Sequence, residues 1–327
     1  PDATSTLQNL INNNRFVLIP KGKFMVSKPI DLRDNTVLLG VNNSLSGLHT
    51  HIKAWLNNTD ANPGPTSGDY NRDANADGFP DGDTAIIRSP DSATAKTIVA
   101  NLGLRWGTLQ NRDWHLGFMW RSGEQSFTIG VHPKARYDVT TGGNPKADMM
   151  FCGANVGGRH FGVGTGNDAR TGHTDHRRVY VRKGLASDLV LAFYNLNAED
   201  NLNKPQMRFQ DSKNIVVYGS KTEDRPLIEY LNCDNCAHFG AMGAGYLTFG
   251  VSGSSAQECN DVYAACFAPK VSTGNAIKEF YGGGTFTVAT TYSLGVFKRG
   301  SVDWEALEIP DNGPTENAVS RHHHLYP

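Results

Sequence analysis

The chain has 327 residues and carries 31 Lys and Arg against 32 Asp and Glu, which gives a formal net charge of −1 at pH 7. Without a basic field, the sequence does not favour a nucleic-acid partner, and no apolar run reaches the ~20 residues of a membrane span. The 35 glycines and the charged fraction of only 19% are typical of a turn-rich, all-β protein. We expect one domain over residues 1–327.

The first 40 residues predict a helix followed by short strands. Residues 4–14 are expected to be helical, with Thr4 or Ser5 as the cap, and we assign residues 1–15 to this element. Its apolar side chains share one face and are Leu7, Leu10 and Ile11. Turn residues separate three predicted strands: Phe16–Ile19, Lys23–Val26 and Thr36–Leu39.

Residues 56–83 form a polar insertion that resembles a calcium loop. Side-chain oxygens recur at alternating positions, and Gly78 permits the sharp turn that such loops need. The EF-hand ending is absent, because Thr84 stands where that loop has Glu. A structural Ca²⁺ site and a solvated loop are both open. The candidate ligands are Asp73, Asn75, Asp77, Asp81 and Asp83.

Three tryptophans fall within a short stretch of chain. Flat apolar rings can stack on the faces of pyranose sugars, so Trp106, Trp114 and Trp120 are candidate substrate contacts. The alternative is that they fill the core or a long loop.

A tyrosine–acidic pattern occurs twice at a fixed offset. Tyr194 is followed by Glu199 and Asp200, and the same residue types return 24 residues later as Tyr218, Glu223 and Asp224. A fixed period of this length in β-rich sequence is typical of a solenoid. Residues one period apart would then stack at the ~4.8 Å spacing of neighbouring strands. Stacked carboxylates repel unless a proton, a cation or a ligand lies between them.

A glycine-rich segment, residues 154–184, precedes this repeat and carries several His and Arg side chains. We expect a polar, cationic loop beside the carboxylates, because solenoids carry their functional groups on loops. His176 and Arg177 are its candidate catalytic residues. Residues 300–327 predict a loop-like tail.

The five cysteines do not complete a zinc site. Cys233 and Cys236 have C-x-x-C spacing, but no second pair of ligands matches them. Ordinary cysteines within strands, a local disulfide and metal or redox chemistry are all open. Cys259 and Cys266 could also be bridged in a secreted protein.

Two stretches of the chain resemble a known superfamily. The opening stretch resembles pectate-lyase-like right-handed β-helix domains through Ile19-Pro20-Lys21-Gly22, Pro29-Ile30 and Asn35-Thr36-Val37-Leu38-Leu39-Gly40. Residues 149–245 resemble glycoside hydrolase family 55-like proteins of the same superfamily. The residues that carry this second resemblance are Gly157-Gly158-Arg159, His176-Arg177, Phe193-Tyr194, Leu196-Asn197, Glu199, Asn214-Ile215, Tyr218-Gly219, Lys221, Glu223 and Phe239-Gly240.

The resemblance implies a single right-handed parallel β-helix whose N-terminal helix covers the open end of the solenoid. It covers about half of the chain, and no complete set of the family's catalytic residues can be matched. The related proteins often contain two solenoids, whereas this chain has length for one. The resemblance also implies action on polysaccharide.

A polysaccharide hydrolase is the first functional hypothesis. Glycosidic cleavage needs a protonated acid and an ionised partner, and stacked carboxylates can supply both. Glu199 and Glu223 would be the acid and its partner. Direct stacking favours the short separation of retaining enzymes. The resemblance points instead to an inverting enzyme, in which Asp200 or Asp224 could be the base.

A polysaccharide lyase is the second hypothesis and uses the same region. A lyase needs a cation to neutralise a uronate and a base to remove the proton at C5. The acidic stack could hold Ca²⁺. The candidate bases are Lys221, Arg225, His176 and Arg177, and Arg225 is also a candidate substrate contact.

The third hypothesis is a non-catalytic β-helix, such as an adhesin, a carbohydrate-binding module or a fibre subunit that self-associates. The carboxylates would then form a structural calcium ladder or pair with Lys and Arg. Under all three hypotheses we expect a secreted or cell-surface protein.

Overall fold

The part of the chain that the structure describes is mostly β-structure, with one short helix. A computed structural model describes residues 2–50, 85–107, 116–136, 147–165, 177–198, 207–222, 228–243, 247–249, 259–269, 277–280, 282–288, 297–299 and 302–304. Within these ranges every strand pairing is parallel except that of the last two strands, which is antiparallel. Parallel strands joined by short connections fit the glycine-rich, weakly charged composition.

The described elements, in chain order, are α1 (Thr4–Asn13), β1 (Phe16–Ile19), β2 (Gly22–Met25), β3 (Ile30–Asp31), β4 (Val37–Gly40), β5 (Ser46–His49), β6 (Ala85–Arg88), β7 (Ile98–Ala100), β8 (Gly103–Gly107), β9 (Leu116–Trp120), β10 (Phe127–Ile129), β11 (His132–Arg136), β12 (Ala147–Cys152), β13 (Gly158–Phe161), β14 (Gly164–Thr165), β15 (Arg177–Arg182), β16 (Leu191–Ala198), β17 (Met207–Thr222), β18 (Ile228–Gly243), β19 (Leu247–Phe249), β20 (Cys259–Pro269), β21 (Ile277–Phe280), β22 (Gly282–Val288), β23 (Phe297–Arg299) and β24 (Val302–Trp304).

The parallel strands fall into three series. The first series runs β3, β6, β9, β12, β15 and the first half of β17. The second runs β1, β4, β7, β10, β13, β16 and the second half of β17. The third runs β2, β5, β8 and β11. From β3 to β13 the chain visits the three series in the same order again and again.

The polar insertion falls between two neighbouring passes through this order. Val37 of β4 pairs directly with Ile98 of β7, and Gly47 of β5 pairs directly with Gly103 of β8. Residues 51–84, which include the predicted calcium loop, connect β5 of one pass to β6 of the next, and their own structure lies outside the described residues.

Strand residues of the second series point alternately to the core and to the outside, whereas every residue of β9 and β12 is buried, and side chains of these two strands form a second apolar cluster with Ala85 and Tyr180. In the second series the inward side chains are buried and form one continuous core with the inward side chains of the other two series. Aromatic rings stack along this core: Phe193 on Phe209 with centroids 5.8 Å apart, and Phe209 against Tyr230 at 4.9 Å. Burial of these large rings contributes to the stability of the stacked strands.

From β7 onward, Asn or Gly occupies a bend at the end of, or within, successive strands of the second series and its continuation in β18. Asn101, Gly130, Gly162, Asn195, Gly219 and Gly240 have φ between 54° and 77°. Asn and Gly are the residues that adopt this left-handed conformation most readily. From β7 to β18 the bends therefore recur because the sequence places a suitable residue once in each pass.

The N-terminal helix differs in detail from the prediction. Its cap residue is Ala3, and the first free backbone N–H, that of Thr4, donates to the Asp2 carboxylate at 2.9 Å. Thr4 and Ser5 are therefore not the cap. Leu7 and Ile11 are buried, whereas Leu10 is 45% exposed. The Gln8 side chain exchanges two hydrogen bonds with the backbone of Asp31, which fixes α1 to β3.

Two glycines test the requirement for close strand stacking. A Cβ at Gly158 would lie 2.3 Å from the Ser126 carbonyl oxygen, and its φ is +102°. We expect Gly158→Ala to lower the free energy of unfolding by roughly 2–3 kcal/mol. Gly162 has open space and φ +58°, and its register partner position is Asn195, so Gly162→Asn should change stability by less than ~0.5 kcal/mol. Urea unfolding of both variants measures this; equal losses would contradict the stacking geometry.

Candidate functional site

The repeated tyrosine pattern lies on neighbouring strands, as its period predicts. Tyr194 of β16 pairs with Tyr218 of β17, and the two rings stack with centroids 5.0 Å apart and planes within 12°. The register continues without a shift from Leu196↔Ser220 to Ala198↔Thr222. The 24-residue offset is thus a true strand register up to the residue before each acidic pair.

The acidic residues themselves lie outside the described residues. These are Glu199, Asp200, Glu223 and Asp224, together with Arg225. Lys221 is placed by its backbone, which pairs with Asn197 on one side and Met242 on the other. The stacking of the carboxylates remains a prediction that extends the register by one residue.

The other sequence candidates are divided between described and undescribed segments. His176 lies outside the described residues, and Arg177 is the first residue of β15, where its backbone pairs with Ala147. The predicted calcium ligands, Asp73, Asn75, Asp77, Asp81 and Asp83, also lie outside them. Within the described ranges, no group of three or more His, Cys, Asp or Glu side chains could hold a metal ion.

Trp120 belongs to the core and not to a sugar-stacking surface. Its side chain is fully buried, its indole N–H donates to the Gly157 carbonyl at 3.0 Å, and its ring packs edge-on against His160. Both faces of the ring are therefore inaccessible to a ligand. Trp106 lies on β8 with its backbone opposite Ala135, and Trp114 lies outside the described residues.

The structure adds a group of polar side chains that the sequence analysis missed. We name it the outer polar cluster: Tyr180 and Arg182 of β15, Arg208, Gln210 and Asp211 of β17, and Glu229 of β18. In the register, Arg208 lies between Tyr180 and Glu229. The signal in the sequence was alternation, since polar residues take every second place in Arg-Arg-Val-Tyr-Val-Arg and Met-Arg-Phe-Gln-Asp.

Hydrogen bonds connect the outer polar cluster across strands. Arg208 forms an ion pair with Glu229, and Arg182 donates to Asp211 at 3.3 Å. The Tyr180 hydroxyl donates to the Gln210 amide oxygen at 3.1 Å. Burial raises the pKa of Tyr180 to about 12, so its phenol stays protonated at neutral pH. The cluster is therefore suited to hydrogen bonding with hydroxyl or anionic groups rather than to acid–base work.

A buried ion pair lies beside this cluster. Arg178 of β15 donates to Asp148 of β12 at 3.0 Å, and both side chains are fully buried. Removing one partner of such a pair leaves the other as a buried charge without a counter-ion, which is destabilising. The pair therefore fixes the register of β12 and β15 in addition to the backbone hydrogen bonds.

The outer polar cluster and the predicted carboxylates are not brought together along β17. Arg208, Gln210 and Asp211 lie at its beginning, whereas Lys221 lies at its end, and left-handed bends at Asp211, Asn214 and Gly219 separate the two. Two distinct candidate regions therefore occupy one pass of the chain.

Two histidines are structural parts of the core. His160 is fully buried, and its Nδ1 lies 2.9 Å from the Thr128 hydroxyl. His238 is fully buried between the Ser220 hydroxyl at 2.9 Å and the Tyr230 hydroxyl at 2.7 Å. Burial lowers the pKa of each to about 3. Both therefore remain neutral at physiological pH.

The cysteines with described side chains are buried and form no disulfide: Cys152, Cys233, Cys236 and Cys259. The thiol of Cys233 lies 3.3 Å from the Phe209 carbonyl oxygen, and burial raises its pKa well above the usual value. The suggested Cys233–Cys236 and Cys259–Cys266 disulfides are therefore not formed. A buried thiol of raised pKa is also a poor nucleophile.

Comparison with known proteins finds no matching family model, no similar curated protein and no similar solved structure. Among the described residues, α1 is the single helix, and no helix is long and apolar enough to cross a bilayer.

Buried neutral histidines predict a loss of stability in acid. Because the folded pKa of His160 and His238 lies below the ordinary 6.5, their contribution is complete above pH ~6.5 and declines as the pH falls toward 3. Each should cost about 1.4 kcal/mol of unfolding free energy per pH unit in that window. Urea midpoints at pH 7 and pH 4.5 measure the decline. The double variant His160→Asn/His238→Asn should flatten it, and an unchanged slope would contradict this assignment.

Proposed function

We propose that the chain is a secreted, single-domain, right-handed parallel β-helix that acts on an extracellular polysaccharide, as a glycoside hydrolase or a polysaccharide lyase. The observation that carries the proposal is the register of β16 and β17, which reaches Ala198↔Thr222 immediately before both acidic pairs. Extending it by one residue brings Glu199 beside Glu223.

The strand order supports the β-helix part of the proposal. Three series of parallel strands visited in a constant order are what a coil of three strands per turn produces. The insertion at residues 51–84 fits this arrangement, because the strands of the pass before it pair directly with those of the pass after it: β3 with β6, β4 with β7 and β5 with β8. α1 is tied to β3 at one end of the first series, where it could cover the exposed end of the coil.

The chemistry of the proposal rests on two carboxylates held at strand spacing. One carboxyl group would keep its proton and act as the acid, while its neighbour stays ionised. Asp200 and Asp224 follow at the next position and are the candidate partners for water activation in an inverting mechanism. Lys221 lies two residues before Glu223 and is the candidate base for a lyase.

The outer polar cluster would serve substrate binding on either route. Arg182 and Arg208 are half-exposed, with 38% and 26% of their side chains accessible. Guanidinium groups recognise carboxylates with two parallel hydrogen bonds. The carboxylate of a uronate could therefore replace Asp211 or Glu229 as the ion-pair partner of these arginines.

A non-catalytic β-helix is the second candidate, and one observation favours it. The outward side of the second strand series exposes several large apolar side chains, including Phe16, Leu18 and Tyr218 at 66%, 63% and 43%. Exposed apolar patches of this kind mark interaction surfaces. A structural or adhesive subunit would use that surface in assembly.

Removing the proposed acid tests the catalytic function. Glu199→Gln and Glu223→Gln should each lower turnover on the best polysaccharide substrate by about 10²–10⁴-fold. Asp188→Asn is the matched control, because the Asp188 carboxylate is 85% exposed and pairs only with Lys213 in the described contacts. Reducing-end assays detect a hydrolase, and ultraviolet absorbance of unsaturated products detects a lyase. Full activity in both Glu variants would overturn the assignment.

Calcium is proposed as a structural ion of the Asp73–Asp83 loop. Oxygen ligands at alternating positions of one loop are what a bound Ca²⁺ needs. Added Ca²⁺ should raise the thermal midpoint of the wild-type protein and slow proteolysis within residues 69–83. Asp73→Asn/Asp77→Asn should lose both effects. Identical cleavage rates with calcium and with chelator would contradict the proposal.

A further inference from the structure

The third strand series, β2, β5, β8 and β11, carries basic residues and no acidic ones. Its four strands form a sheet of their own, in which β2 pairs with β5, β5 with β8 and β8 with β11. The first series, by contrast, contains both signs of charge, as its buried Arg178–Asp148 pair shows. The basic residues of the third series are Lys23, His49, Arg105, His132, Lys134 and Arg136.

The register arranges these residues in two columns that cross the strands. The arginine column consists of the positions of His49, Arg105 and Lys134, which pair in that order. The lysine column lies two residues earlier in each strand, with Lys23 at one end and His132 at the other. Neighbouring positions of a column are about 4.8 Å apart. We name the outward side of these four strands the basic face.

Both columns lie on the side of the sheet that faces away from the core. The positions between them are occupied by Leu48 of β5 and Leu104 of β8, which are fully buried and belong to the core. Successive residues of a strand point to opposite sides. Lys23 is exposed accordingly, and His49 and Arg105 are half-buried.

The environment of His49 shows the sign of the electrostatic field at the basic face. Burial is the main cause that lowers the pKa of His49 to about 4, and the positive charges of Lys23 and Arg105 lower it further. His49 is therefore neutral at pH 7 and offers hydrogen bonds, whereas Lys23 and Arg105 supply positive charge.

One carboxylate adjoins the edge of this sheet, and it is committed to the N-terminal helix. Asp2 forms an isolated backbone bridge with Met25 of β2. Its carboxylate accepts hydrogen bonds from the backbone N–H and the hydroxyl of Thr4 and from the hydroxyl of Ser27. Asp2 therefore serves the start of α1.

The lysine column continues toward the end of β17. A Cβ at Gly164 of β14 would lie 3.5 Å from His132 Nε2, so β14 follows β11 in space. Gly164 pairs with Asn197 of β16, and Asn197 pairs with Lys221 of β17. The passes that carry the basic face are thus followed by those that carry the proposed carboxylates.

The proposed carboxylates fall in line with the arginine column. Glu199 and Glu223 come two residues after Asn197 and Lys221 in the sequence, which is the offset between the two columns. A polymer bound along the basic face would therefore lead to Glu199 and Glu223. This continuity rests on the proposed function, whereas binding to the basic face does not.

We propose that the basic face binds a linear anionic polysaccharide that runs across the strands. An extended polysaccharide with one anionic group on each sugar residue presents its charges at regular intervals along a line, as the basic face presents its own once per strand. Guanidinium and ammonium groups bind carboxylates and related oxyanions such as sulfate. The neutral His49 imidazole can hydrogen-bond to a sugar hydroxyl between two charged contacts.

Nucleic acid suits this face less well than polysaccharide does. Proteins that bind single-stranded nucleic acid stack successive bases on aromatic side chains. Of the Phe, Tyr and Trp residues, the four strands contain only Phe24 and Trp106, and Phe24 packs against the core. A polysaccharide needs no such platform, because charged groups and hydroxyls recur along its whole length.

Titration calorimetry of the full chain with alginate, a polyuronate, tests the contact. The wild-type protein should bind alginate but not dextran, which is neutral, and the affinity should fall with added salt. Lys23→Glu and Arg105→Glu should each raise the dissociation constant at least about 10-fold, because the reversed charge repels the ligand. Lys96→Glu is the matched control: it reverses the charge of an exposed lysine between β6 and β7, outside the third series, and should change the constant less than ~2-fold. Urea unfolding confirms that each variant is folded.

Absence of alginate binding by the wild-type protein would overturn the proposal, and so would unchanged binding in Lys23→Glu and Arg105→Glu or equal losses in all three variants. Heparin, a sulfated polymer, distinguishes the anionic groups. Tighter binding of heparin than of alginate, with the same response to the variants, would support the proposal with sulfate as the preferred group. Tighter binding of oligothymidylate than of either polysaccharide would assign the basic face to nucleic acid and overturn the proposal.

The length of the ligand tests the path across the strands. Four strands at ~4.8 Å spacing extend over about 14 Å from the first to the last. At one sugar residue per strand, affinity should rise with the length of uronate oligomers up to about four residues and then level off. An affinity that is already complete for a dimer would contradict this path.

Turnover measured on the same proteins separates this proposal from the proposed function. Alginate binding to the basic face, together with full turnover in Glu199→Gln and Glu223→Gln, would remove the proposed catalysis and support the binding site. Loss of turnover in those two variants, without alginate binding by the wild-type protein, would overturn the binding site alone.

Discussion

The structure depends on the parallel register between neighbouring strands. Each inward residue stacks on the residue at the same register position one pass earlier, as Val17, Leu38 and Val99 do on β1, β4 and β7. The same register then determines what stacks on the outside, because successive residues of a strand point to opposite sides. The strand register therefore determines both how the core packs and which side chains are neighbours on the surface.

This constraint explains why polar groups inside the stack occur in pairs. Thr128 and His160 share a hydrogen bond one pass apart, as do Ser220 and His238. The buried Asp148–Arg178 pair links β12 to β15 in the same way. A buried polar group without a hydrogen-bond partner would destabilise the core. Each of these polar residues therefore needs a polar partner on the neighbouring strand.

Much of the fold could be predicted from sequence because its signals are local or periodic. β1 occupies the predicted Phe16–Ile19, α1 ends within a residue of its prediction, and the 24-residue offset matches the β16–β17 register. Burial could not be predicted in the same way. From sequence alone, Trp120 is equally suitable for a sugar-binding surface and for the core. Its hydrogen bond to the Gly157 carbonyl, inside the protein, shows that it belongs to the core.

The outer polar cluster escaped prediction for a related reason. Arg208 and Glu229 become partners only through the register of β17 and β18, whose 21-residue step differs from the 24-residue step before it. The basic face was hidden in the same way, because its residues come from strands far apart in the sequence and only the register brings His49 beside Arg105.

The central functional claim is that the register beyond Ala198↔Thr222 stacks Glu199 on Glu223 at the surface. A high-resolution crystal structure that includes residues 199–200 and 223–225 measures this most directly. The account predicts Glu199 and Glu223 side by side on neighbouring strands, with Cα atoms about 5 Å apart and both carboxyl groups open to a groove. Carboxyl groups that diverge, or that are capped by arginine side chains away from solvent, would contradict it.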